Sequence, residues 1–282
     1  MSDPVRLAVH PYERLAVSAF LPRATGDPTN HARAKQINYV AAGDQVLSSG
    51  AAAFTTRTAS WYFASAVDVW SPISNHGTVV ALGDSITDGV GSQTGANARW
   101  PNDLARRLDS LHGPSLSVVD AGIAGNRLLS GSRCCGPSGL ARFGRDVLSQ
   151  PSVRAVIVLE GINDIGVAHR SAQQIIAGYL KLITRAHAAG VKIFGATLTP
   201  FEGAGYWTPA GEAQREKLNA WILHSGAFDG VINFAAAVAG VSNPKRFNPL
   251  YDSGDHLHPN DAGYLAMSRA VNLSMLLRAT QR

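Results

Sequence analysis

Cysteine is almost missing from this chain. Its two residues, Cys134 and Cys135, stand side by side among 282. Without a C-x-x-C pair or a spaced Cys/His set, the sequence offers no basis for a structural zinc site. Adjacent cysteines are poorly placed for the usual bridge between distant segments, so both thiols are expected to be free. Long hydrophobic runs are missing as well. No apolar stretch approaches the ~20 residues needed to span a bilayer as a helix. Met1-Ser2-Asp3-Pro4 lacks the basic-then-apolar pattern of a secretory leader. Charge is sparse, at 16% of residues with a formal balance of +5, and Lys and Arg form no cluster and do not interleave with aromatics. That argues against a nucleic-acid partner.

What is present is apolar material, 45% of 282 residues, enough for one substantial core and a small second unit. From residue 1 to 75 the texture is strand-like. Arg14 to Leu21, Ile37 to Val40 and Trp61 to Trp70 are apolar or alternating runs separated by Gly, Pro, Asn and Asp. They predict a small β-rich region. A non-enzymatic reading belongs here too, with Trp61, Tyr62 and Trp70 as a sugar-binding platform, although core packing explains such aromatics more simply.

From 76 to 282 strand and helix alternate, the mark of a parallel sheet covered on both faces, and the boundary is expected near residues 71 to 77. Strands are predicted at Val79 to Leu82, Leu116 to Val119, Val153 to Leu159, Val191 to Leu198 and Val231 to Phe234. Helical spacing joins Trp100, Leu104, Leu108 and Leu111, with an end near Gly113. Ser171 to Gln174 fits a capping box, and Thr208-Pro209 opens a further helix. A final helix runs from about Asn260 close to the C-terminus. Two long irregular segments remain, Asn126 to Arg145 and Pro200 to Pro209.

The chemistry centres on Val79-Val80-Ala81-Leu82-Gly83-Asp84-Ser85, a buried strand delivering one serine at its C-terminal end, where open α/β sheets bind ligands. Read alone, Asp84 and Ser85 could simply cap a helix. A serine hydroxyl is a weak nucleophile, so acyl chemistry also requires an imidazole, a carboxylate to orient it, and donors for an oxyanion. Asp255 and His258 lie in one turn ahead of the last helix and supply the first two. His256 also neighbours Asp255, and spacing leaves either ring open as the base. A metal reading through Asp255, His256, His258 and Asp261 lacks a second cluster to complete the ligand set. Gly125, by its backbone N–H, and Asn163, by its amide, are the candidate oxyanion donors beside the Ser85 N–H. Asn163 has a plainer reading, the closing of an Asx turn.

Gly83-Asp84-Ser85, Gly125, Gly161-Ile162-Asn163-Asp164 and Asp255-His256-Leu257-His258-Pro259 together resemble, in order, the four sequence blocks of the SGNH (GDSL-type) hydrolases. The resemblance spans about Val79 to Tyr264. It implies a three-layer α/β/α, flavodoxin-like parallel sheet, the SGNH hydrolase fold. It also implies Ser85 as nucleophile and first oxyanion donor, Gly125 and Asn163 as the other donors, His258 as base, Asp255 as its orienter, and no cofactor. The second block departs from the family pattern, opening with Asp120 where Asn is usual. The G-x-S-x-G elbow of α/β-hydrolases is absent, with Asp84 and Thr87 standing around Ser85 instead. The first 75 residues resemble the tail of a β-sandwich that some larger members carry, and related hydrolases are often secreted.

The expected activity is hydrolysis of small-molecule carboxylic esters through an acyl-serine. Deacetylation of acetylated sugars is the nearest alternative, and thioester or lysophospholipid hydrolysis a further one. The two irregular segments are expected to wall the site, with Phe201, Tyr206 and Trp207 as a short apolar wall that favours short acyl groups.

Overall fold

The computed structural model describes residues 3–70, 77–112 and 116–280, and the chain divides into two compact units, Met1–Pro72 and Ile73–Arg282. Most of the expected boundary near 71–77, and the helix end near Gly113, lie outside the described residues.

In the first unit β1 (Asn30–His31) pairs antiparallel with β4 (Trp61–Tyr62), and β2 (Asn38–Val40) with β3 (Thr56–Thr58). Arg14 to Leu21 forms no strand, and the third expected run keeps strand geometry only at Trp61–Tyr62. The physical reason is the lack of a face to cover. Leu15, Val17, Phe20, Leu21, Val67 and Val69 are all exposed, and a strand needs both a hydrogen-bonding neighbour and an apolar layer to bury against.

The second unit is built on five parallel strands, β5 (Gly77–Gly83), β6 (Leu116–Gly122), β7 (Val153–Leu159), β8 (Lys192–Ala196) and β9 (Gly230–Ile232), in the order β6-β5-β7-β8-β9. Val79 to Leu82 and Ala155 to Val158 have no exposed surface, as expected of central strands covered on both sides. The chain steps one way from β5 to β6 and the other way from β7 to β9. With right-handed crossovers, that reversal sends the helices to opposite faces.

On one face α2 (Trp100–His112) packs on β6 and on α8 (Asp261–Ala270), which meets α7 (Phe234–Val238). On the other, α5 (Ala172–Ala188) packs against α6 (Pro209–His224) and α3 (Gly139–Phe143). The capping box at Ser171 and the Thr208 cap with Pro209 in the first turn both form. This is a three-layer α/β/α fold of flavodoxin-like strand order, and its reversal point between β5 and β7 is where a ligand crevice opens.

Two details differ from the sequence expectation. The segment from Asn126 to Arg145 is not irregular throughout, because α3 and a π-helix (Gly144–Leu148) follow one another with Phe143 and Val147 buried. The last helix is two pieces, α8 and α9 (Leu273–Thr280), parted at Val271-Asn272, where the Asn272 side chain accepts the Met275 N–H and restarts the helix.

Candidate active site

β5 ends at Gly83, and α1 (Ser85–Asp88) begins at once, with Asp84 as its cap. One Asp84 oxygen accepts the Ile86 N–H at 3.0 Å, which turns the chain so that Ser85 opens the helix. A Cβ on Gly83 would overlap the Thr87 hydroxyl, so the turn closes this tightly only with glycine before Asp84.

Opposite Ser85 stands the turn before α8. Asp252 and Pro259 bridge across it, and Asn260, which caps α8, donates to the carbonyls of Leu250 and Asp252 at 3.0 and 3.1 Å. The His258 Nε2 lies 2.8 Å from Ser85 Oγ, and its Nδ1 lies 2.6 Å from Asp255 Oδ2. An ionised carboxylate only accepts, so the ring proton sits on Nδ1 and the Nε2 lone pair faces the hydroxyl. The other Asp255 oxygen accepts the N–H groups of His258 at 2.8 Å and Leu257 at 3.0 Å, and the Ser253 hydroxyl at 3.2 Å. Partial burial works against the Asp255 charge, but these bonds prevail and hold its carboxyl below the usual carboxylate range.

His256 is held elsewhere. Its Nδ1 bonds Asp252 Oδ2 at 2.6 Å, its backbone is left-handed at φ +61°, and its ring rests on Gly203. Asp261 accepts the Gln93 N–H at 2.8 Å, and among the described residues no group of three or more His, Cys, Asp or Glu is spaced to hold a metal ion.

Gly125 adopts φ +76° in the turn after β6, closed by the Asn126 N–H on the Ile123 carbonyl at 3.0 Å. A Cβ there would sit 2.7 Å from the Cys135 sulfur. Asp120, the departure in the second block, receives the Gly122 N–H at 2.9 Å. Asn163 lies in the first turn of α4 (Ile162–Gly166), after β7. One of its amide N–H groups bonds the Asn126 carbonyl at 3.0 Å, and its Oδ1 accepts from Tyr206 OH at 3.4 Å, which leaves the second N–H to give.

The cysteines correct the sequence expectation. Cys134 and Cys135 are joined by a disulfide rather than free. They ride a tight turn in which Ser132 and Gly136 pair and the Cys135 N–H reaches the Ser132 carbonyl at 3.3 Å, which brings neighbouring sulfurs together. Of the proposed wall, Phe201 has no exposed surface and packs on Tyr206, while Tyr206 and Trp207 are partly buried.

Behind the turn lies a group of side chains that the sequence did not bring together, with Arg142 and Glu160 joining Asp84 and Asp164. Asp84, Glu160 and Arg142 are buried together. Burial pushes the Asp84 carboxyl up to about 7 and that of Glu160 well above its ordinary value. Asp164 accepts the N–H groups of Leu128 at 2.7 Å and Leu129 at 3.0 Å and so pins the loop after Asn126. The available signal was Ser138 ahead of Leu140, Phe143 and Val147, a cap followed by helical spacing that places Arg142 on a helix.

Comparison with known proteins bears on this arrangement. The fold is similar to the aryl esterase of M. smegmatis (TM-score 0.58, 17% identity, 72% of this chain and 99% of that one). It is similar also to a carbohydrate acetylesterase family member from Sinorhizobium meliloti (0.57, 17%, 71% and 98%). A GDSL-like lipase from Bacteroides thetaiotaomicron aligns as well (0.55, 19%, 74% and 92%). No curated protein matches the sequence. The GDSL-like Lipase/Acylhydrolase family matches residues 81–266, well over half the chain and both halves of the Ser85 and His258 constellation. The chain belongs to that family and is an ester hydrolase.

Proposed function

We propose that this protein cleaves short-chain carboxylic esters through an acyl-Ser85 intermediate. The observation that carries the reading is the unbroken line of hydrogen bonds from Asp255 through His258 to Ser85 Oγ. In this reading Ser85 Oγ attacks the acyl carbon as His258 Nε2 takes its proton, and the carbonyl oxygen becomes an oxyanion. Backbone N–H groups of Ser85 and Gly125 and the free amide N–H of Asn163 receive that charge. Collapse breaks the bond to the alcohol, which leaves with the proton from His258. Water then repeats the steps and frees the acid.

Chain-length preference follows from the wall. Tyr206 OH stands 3.4 Å from Asn163 Oδ1, so aromatic surface bounds the site close to an oxyanion donor. Asp164 fixes the loop after Asn126 at Leu128 and Leu129. A wall this close to an oxyanion donor supports the reading that acetyl to butyryl groups are preferred. Deacetylation of an acetylated sugar is the second reading, favoured by the fold shared with the Sinorhizobium meliloti acetylesterase family member.

Chromogenic esters from acetyl to dodecanoyl, assayed beside an acetylated oligosaccharide, test both. Rates should peak at or below butyryl, and Trp207→Ala should shift the profile toward longer chains with little change in melting temperature. A maximum at dodecanoyl, or an unchanged profile in Trp207→Ala, contradicts the wall.

A further inference from the structure

The guanidinium of Arg142 is closed to solvent and spends all five of its N–H groups. Nε donates to Asn126 Oδ1 at 2.9 Å. Nη1 donates to the Ala121 carbonyl at 2.6 Å and to Asp146 at 3.2 Å. Nη2 donates to the Gly83 carbonyl at 2.8 Å and to Glu160 at 3.2 Å. We infer that Arg142 is a positioning residue for the oxyanion hole, acting through Asn126 on the donors at Gly125 and Asn163. This inference rests on the reading of Ser85 as the nucleophile.

The acceptors are the reason. Gly83, Ala121 and Glu160 lie within one residue of the ends of β5, β6 and β7, the three strands whose following turns carry Ser85, Gly125 and Asn163. Gly83 precedes the Asp84-Ser85 turn, and its carbonyl also receives the Ile123 N–H at 3.0 Å. Asn126 directly follows Gly125, and its own carbonyl holds the Asn163 amide at 3.0 Å. Its side-chain amide donates to the carbonyls of Cys135 and Pro137 at 2.8 Å each, which ties down the disulfide turn beneath Gly125. Arg142 thus fixes the orientation of one amide, Asn126, from which both outer donors hang.

A buried cation is costly to desolvate, and a hydrophobic residue of similar volume often serves stability equally well. What an apolar residue cannot supply is a planar fork that sets three strand ends against each other at fixed spacing. Nor can lysine, whose ammonium presents its donors from one point. A donor displaced by a fraction of an ångström still binds substrate but meets the oxyanion badly. The effect therefore belongs in kcat.

The test uses the full chain, a butyryl chromogenic ester, and the variants Arg142→Lys and Asn126→Ala, each alone and combined with Asn163→Ala. Near-UV circular dichroism and melting report folding. Arg142→Lys should lower kcat by about 10- to 100-fold with KM within about twofold, part of what losing a donor outright removes. In the Asn163→Ala background the same change should cost less, because one of its two targets is already gone and only the donor at Gly125 remains to be displaced. Undiminished kcat in Arg142→Lys, or a loss equal in both backgrounds, overturns the inference. Should Arg142→Lys fail to fold, Asn126→Ala leaves the guanidinium and its strand-end bonds in place and decides by the same coupling. Ser85→Ala separates the two failures. If it retains turnover, the nucleophile assignment and this inference fall together; if it is inactive while Arg142→Lys is fully active, only the role of Arg142 falls.

Discussion

On its solvent side Ser85 faces His258 and Asp255, a pair whose carboxylate side chain is 51% exposed, whereas behind it Asp84, Glu160 and Arg142 share a space closed to water. Both sides hold carboxylates, and their environments drive them apart. Asp255 is stabilised as an anion by hydrogen bonds from a ring and two backbone groups. Burial favours the protonated acid at Asp84 and Glu160. The front can exchange protons with solvent and suits a group that must gain and lose one in each cycle. The back is arranged to keep strand ends still.

The largest effect that could break this division comes from the front. His258→Ala removes a ring that makes two side-chain hydrogen bonds, one to Ser85 and one to Asp255. It should lower kcat/KM by about a thousandfold or more while the protein melts normally, because nucleophile and base act as a unit. Activity within tenfold of the parent, measured on the same ester, would remove the proton-transfer role from the front.

The two sides were unequally legible. The front was legible because Ser85, Asp255 and His258 sit in short segments whose spacing limits their geometry, and the structure brings the three within hydrogen-bond reach of one another. The strand runs at Val79 and Val153 were plain because central parallel strands are apolar on both faces. The back was missed because Arg142 falls in a stretch rich in Gly and Ser that reads as loop. Its helix is five residues long before the π-helix begins, too short for periodicity to dominate composition. The bridge between Cys134 and Cys135 escaped for a related reason, since only the Ser132 to Gly136 turn brings those sulfurs together. In the N-terminal unit the alternation at Arg14 to Leu21 was real, but pattern becomes strand only where a neighbouring chain accepts its hydrogen bonds.

A smaller effect sharpens the back. The Asp84 proton is bound more tightly in the folded protein, at about 7, than at the ordinary value of 3.8. Folding therefore gains from this group below pH 3.8 and loses that gain as the pH rises through about 7. Burial is the leading cause. Asp164 adds to it, while the Ile86 N–H and Arg142 oppose it. Asp84→Asn keeps an oxygen for the Ile86 N–H and cannot ionise. Its melting temperature relative to the parent should climb between pH 4 and pH 8, by about 2–4 °C for each kcal/mol in a domain of this size. A gap that stays constant with pH would show that the cap, not the charge, decides.

The smallest effect is expected at the second Asp–His pair on the front. His256 and Asp252 repeat the 2.6 Å contact of His258 and Asp255, yet the His256 ring meets Gly203 rather than Ser85 and its side chain is 54% exposed. Asp252 does not depend on that ring, because it also accepts the N–H groups of Gly254 at 2.8 Å and His256 at 3.1 Å. His256→Ala should leave those turn bonds in place and keep kcat within about threefold. Any loss should appear in KM through the loop at Gly203, and stability should move by about 1 kcal/mol or less, as for an exposed pair. The comparison with His258→Ala is what gives the small number its meaning. Two rings in one turn share the same chemistry, and only the one whose second nitrogen reaches Ser85 should matter to kcat. Equal, severe losses of kcat in both variants, with both folded, would place His256 in the proton path and leave the 2.8 Å approach of His258 to Ser85 without its special standing.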